Sequence, residues 1–121
     1  MSYTVIDKRT YKKSFGVWPL KGEVTTTMTF VNMGNSNVGL SYEAEYGGIQ
    51  AGSDKGGPFE VTGNQIKNVN DSPKVEVIIS DFNKTSNHAS LHVRITVGIP
   101  VIGTETIFDE TLSGSYSSST V

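Results

Sequence analysis

The only imidazoles are His88 and His92. Four residues apart in an extended chain, they share a face, but their backbones stand roughly 13 Å apart, too far to hold one metal ion. They read as surface histidines. Glu43 and Glu45 alternate on one face at roughly 6.6 Å, a spacing that paired-carboxylate glycoside chemistry could in principle use. A cleft would also be needed, so a solvated acidic face pairing with Lys8/Lys12 or Arg9/Lys13 is the expected reading. Asp81, Asn83 and Thr85 start like a calcium loop. However, Ser86 stands where such a loop needs glycine, and His92 where it needs a bidentate glutamate. An Asn/Ser-rich hairpin turn fits better.

Residues 47–57 carry five glycines and a lysine, without the spacing of a phosphate-binding loop. They read as a long, mobile or ligand-binding connection. Residues 8–18 interleave Lys8, Arg9, Lys12 and Lys13 with Tyr11, Phe15 and Trp18. As a strand they place Arg9, Tyr11, Lys13 and Phe15 on one side and Lys8, Thr10, Lys12 and Ser14 on the other. That suits an edge strand guarded by lysines, with Trp18 at the core or its rim.

The elements that must carry these residues are strands. Val38, Leu40, Tyr42, Ala44 and Tyr46 alternate with Gly39, Ser41, Glu43 and Glu45. Leu91, Val93, Ile95 and Val97 alternate with His92, Arg94 and Thr96. Period two means one dry and one wet face. Val24, Thr26, Met28 and Phe30 share a parity, as do Val75, Val77 and Ile79. No segment keeps helical spacing over three turns. Strands are expected at 2–8, 10–17, 23–32, 38–46, 58–62, 74–81, 88–97 and 104–112. The fold class is all-β: a single-domain antiparallel β-sandwich of seven or eight strands over residues 1–112, with a small barrel as the alternative. Residues 113–121 read as a Ser-rich tail, and Pro100 excludes the centre of a ladder.

Length and charge bound the function. At 121 residues the chain makes one domain. It has no cysteine, which excludes disulfides, thiolate metal sites and cysteine nucleophiles. Residues 1–22 carry a net +4 and the remainder −6, so no whole basic face for nucleic acid is expected. No signal peptide or transmembrane helix is visible, which makes a cytoplasmic location the default, with release by another route left open.

If strands alternate in direction, loops 47–57 and 81–87 and the tail gather at one end. Loops 33–37, 68–73 and 98–103 gather at the other. An extra hairpin at 62–65 would change that grouping. The candidate ligand-binding residues are accordingly Tyr46, Asp54, Lys55, Asp81, Asn83, Asn87 and His88. The expected function is a non-enzymatic binding module taking a carbohydrate or another surface ligand through these loops, without metal or cofactor. The alternatives are a membrane-active or self-assembling, toxin-like β protein and, last, a glycoside-hydrolase-like enzyme. A homo-oligomer is compatible with the apolar 97–102 stretch.

Overall fold

The computed structural model describes residues 3–15, 22–48, 52–71, 74–99 and 103–116. Eight strands follow one another: β1 (Thr4–Phe15), β2 (Gly22–Gly34), β3 (Asn37–Gly48), β4 (Gly52–Val61), β5 (Gln65–Asp71), β6 (Lys74–Lys84), β7 (His88–Ile99) and β8 (Gly103–Ser115). They form two four-stranded antiparallel sheets, β1-β2-β3-β4 and β5-β6-β7-β8. Each sheet is a meander of sequential neighbours. The sheets do not close into a barrel, so the molecule is a β-sandwich.

The alternating residues meet between the sheets. Val24, Met28, Phe30, Val38, Leu40, Tyr42, Ala44 and Tyr46 of the first sheet are buried. They face Val75, Val77, Ile79, Leu91, Val93, Ile95, Val97, Ile107, Phe108 and Leu112 of the second. Thr26 is fully buried in the same row. Burial of such apolar surface, at roughly 25 cal/mol per Å², is the main force holding the sheets face to face.

Several expected boundaries differ. The two predicted N-terminal strands are one: apart from a bulge between Val5 and Asp7, β1 pairs with β2 without a break from Asp7 through Phe15. Residues 52–57 are not a loop but the first part of β4, in register with β3 through Tyr46↔Gly52, Glu43↔Lys55 and Tyr42↔Gly56. A Cβ at position 56 would lie 2.8 Å from the Tyr42 ring. One at Gly57, where φ is +93°, would lie 2.5 Å from the Leu40 carbonyl oxygen. These glycines allow close approach within a strand pair. Residues 62–64 are a connection between sheets, and β5 is an extra strand. Ser113–Ser115, read as the start of the tail, belong to β8, and Tyr116 is buried beyond them. Trp18 and residues 100–102 lie outside the described residues.

The sandwich is sealed on one side. Asp7 of β1 accepts a hydrogen bond from the Ser113 amide of β8 at 2.9 Å, and the Tyr11 and Phe108 rings meet at 5.9 Å. A Cβ on Gly114 would lie 2.5 Å from the Ile6 carbonyl oxygen. The other side is bounded by the edge strands β4 and β5, where Lys67 lies over the Phe59 ring at 5.3 Å.

Candidate functional site

The seven residues nominated from sequence do not converge. Strand β3 starts beside the tight β2–β3 turn at Asn35 and Ser36, both with positive φ. Tyr46, near the other end of β3, is buried and pairs with Gly52, so it heads no loop rim. Asp54 and Lys55 follow in the edge strand β4. By contrast, Asp81 sits in a bulge of β6 and Asn83 just beyond it, paired with Ser90, while Asn87 lies in the β6–β7 turn and His88 opens β7. That turn lies at the Ser36 end of the sandwich: Lys84 Nζ donates to the Ser36 carbonyl, and the Phe82 amide to Asn64 Oδ1 at 3.1 Å. The Tyr116 amide donates to the Asn87 carbonyl at 3.0 Å. The grouping of 47–57 with 81–87 is thus overturned, and the extra strand β5 is the reason. The association of 81–87 with the chain beyond Leu112 holds.

Several polar groups at the 81–88 end are already used. The Thr85 hydroxyl accepts the His88 amide at 3.1 Å and faces Asn87 Oδ1 at 3.1 Å. The Thr85 amide donates to the His88 carbonyl at 2.8 Å. These bonds knit a turn. Among the described residues no group of three or more His, Asp or Glu is placed to hold a metal ion.

A hollow of about 640 Å³ lies instead on the outer face of the first sheet. Strand register builds it in rows. One row runs Thr10, Thr27, Glu43, Lys55 across all four strands. The next runs Lys8, Thr29, Ser41 and reaches the Gly57–Pro58 bulge. The Thr10 and Thr27 hydroxyls are 3.1 Å apart and hydrogen-bonded. A smaller hollow of about 400 Å³ continues along Glu43, Glu45, Ser53 and Lys55. Glu43 and Glu45 therefore do share an exposed face with Lys8 and Lys12, but the β2 threonines stand between them. The cross-strand neighbour of Glu43 is Lys55.

The second sheet carries a grouping that sequence reasoning missed. His92 of β7 lies between two side chains of β8: Nε2 is 2.5 Å from Asp109 Oδ1, and Nδ1 is 3.0 Å from Thr111 Oγ1. Asp109 and Thr111 alternate on one face of the predicted 104–112 strand, which was legible. The register that sets Thr111 opposite His92 was not.

One carboxyl is displaced from its ordinary value. Burial alone would raise Asp7. The hydrogen bonds from the Ser113 amide, the Arg9 guanidinium and the Lys8 amide outweigh it, with help from the Arg9 charge, and hold it below the usual aspartate range.

The fold and its surfaces define a cysteine-free, two-sheet antiparallel sandwich with a polar outer groove. No helix is long and apolar enough to cross a membrane among the described residues. Comparison with protein families, with curated proteins and with solved structures finds no match.

Proposed function

We propose that this chain is a binding module that takes a short saccharide, without chemical change, in the groove on the outer face of its first sheet. The observation that carries the reading is the composition of that groove: hydroxyls of Thr10, Thr27, Thr29 and Ser41 form its floor, flanked by Lys8, Glu43 and Lys55. A saccharide presents closely spaced groups that both donate and accept. Hydroxyl side chains match both roles, and a charged partner strengthens each bond to about 1.5–3 kcal/mol. The volume of about 640 Å³ falls within the range of roughly 300–1,000 Å³ typical of small-ligand sites. The absence of cysteine from the sequence supports action in a reducing compartment such as the cytoplasm.

A glycan array with the purified chain, followed by calorimetry on the best binder, tests the reading. Glu43→Gln and Lys55→Met should each weaken binding about tenfold, the loss of one charge-assisted hydrogen bond. Asn87→Ala, at the other candidate location, should leave it unchanged. An array without binders overturns the proposal. So does a binder that ignores both groove substitutions.

A further inference from the structure

The Asp109–His92–Thr111 grouping stands on the second sheet, away from the groove, and its geometry has a chemical consequence. An ionised carboxylate only accepts hydrogen bonds, so the His92 Nε2 facing Asp109 carries a proton. In the neutral ring Nδ1 is then the lone-pair nitrogen, and it faces the Thr111 hydroxyl at 3.0 Å. The hydroxyl donates. This is a nucleophile, a base and a group that orients the base, each within hydrogen-bond reach of the next. The parts are accessible: Thr111 is exposed, and the His92 and Asp109 side chains are 32% and 46% exposed. Strands β7 and β8 fix the spacing through the pairs His92↔Thr111 and Arg94↔Asp109.

We infer that Thr111 is a nucleophile activated by His92 and accepts acyl groups from small activated carboxylic esters. In the first step Thr111 Oγ1 bonds to the ester carbonyl carbon while its proton passes to His92 Nδ1. The tetrahedral intermediate collapses by breaking the bond to the leaving oxygen, which departs with the proton from Nδ1. The acyl group remains on Thr111 as an ester. Water then attacks that ester, its proton passing through Nδ1 to the departing Thr111 oxygen, and a carboxylic acid leaves. The face is open, so the substrate must supply a good leaving group. Aryl esters fit, whereas amides do not. Asp109 is a positioning residue that keeps the ring in the required tautomer.

The test is acetylation of the full chain by p-nitrophenyl acetate, followed by peptide mass mapping and hydroxylamine treatment. Hydroxylamine removes an ester on threonine and leaves an amide on lysine. The expected result is a hydroxylamine-labile acetyl group on Thr111. It should be absent in Thr111→Val and kept in Thr111→Ser. In His92→Gln it should form at least about 100-fold more slowly, the usual worth of a positioned base. In Asp109→Asn it should also slow, with the circular dichroism melt unchanged. Acetylation confined to lysines overturns the inference. Thr111 acetylation at an equal rate in His92→Gln overturns it as well.

Discussion

Asp7 joins the first strand to the last, and removing its carboxylate has a calculable effect. The Ser113 amide donates to Asp7 at 2.9 Å in a partly buried setting. Arg9 also contacts the carboxylate at 3.2 Å, but the Arg9 side chain is 51% exposed against 17% for Asp7. The ion pair therefore contributes little, and the amide bond carries most of the effect. A hydrogen bond to a charged group is worth about 1.5–3 kcal/mol, so Asp7→Ala should cost about 2 kcal/mol. For a chain of this length the unfolding entropy is about 0.25 kcal/mol/K, which makes the loss about 8 °C in Tm. The pH dependence follows from the direction of the shift. A carboxyl held below its ordinary value stabilises the fold fully above that value, about pH 4. The contribution fades as pH falls through the folded-state value. Thermal melts of the parent, Asp7→Ala and Asp7→Asn at neutral pH and near pH 3 measure this. The gap between parent and Asp7→Ala should narrow in acid, and Asp7→Asn should lie between them at neutral pH. A neutral-pH gap under about 2 °C, less than about 0.5 kcal/mol, would refute the reasoning. A gap that does not change with pH would refute the electrostatic part.

Two further substitutions probe packing. Thr26 buries a hydroxyl that makes no hydrogen bond, so the near-isosteric Thr26→Val should stabilise the fold by about 1 kcal/mol, read as a rise of about 4 °C in Tm. Gly114→Ala sets a methyl group against the Ile6 carbonyl oxygen and should cost about 1–3 kcal/mol. Hydrogen exchange should rise first in β1, and an unchanged exchange pattern would show that the close approach of the two strands is not needed.

What could be read from the chain depended on how local the signal was. Alternation in 38–46 and 88–97 identified buried rows that the structure reproduces residue for residue, because a strand's two faces are fixed by its own backbone. Pairing is not local. The row from Thr10 through Thr27 and Glu43 to Lys55 exists only because four strands align. The threonines were visible, but their neighbours were not. Residues 52–57 failed for a different reason. Their glycines suggest mobility, yet Gly56 and Gly57 are small because Tyr42 and the Leu40 carbonyl crowd them. The strand at 65–71 is short, and the register of Asn68 and Asn70 against β6 is irregular, which hid its period. Missing it reversed the end assigned to every later loop, and with it the nominated site. His92 was visible as a residue, but its partners depend on a register set across the β7–β8 hairpin.

The seam between β1 and β8 links residues 106 positions apart, whereas every pairing inside the two sheets joins neighbours in sequence. Closing so long a loop before any reward is entropically expensive. The hairpins are therefore expected to assemble first, and the seam to be the late step that locks one half of the chain to the other. Interactions formed after the rate-limiting barrier govern how slowly a protein comes apart rather than how fast it goes together. The clasp at Asp7 thus acts as a determinant of lifetime: it sets how long the finished sandwich resists prising open from its first strand.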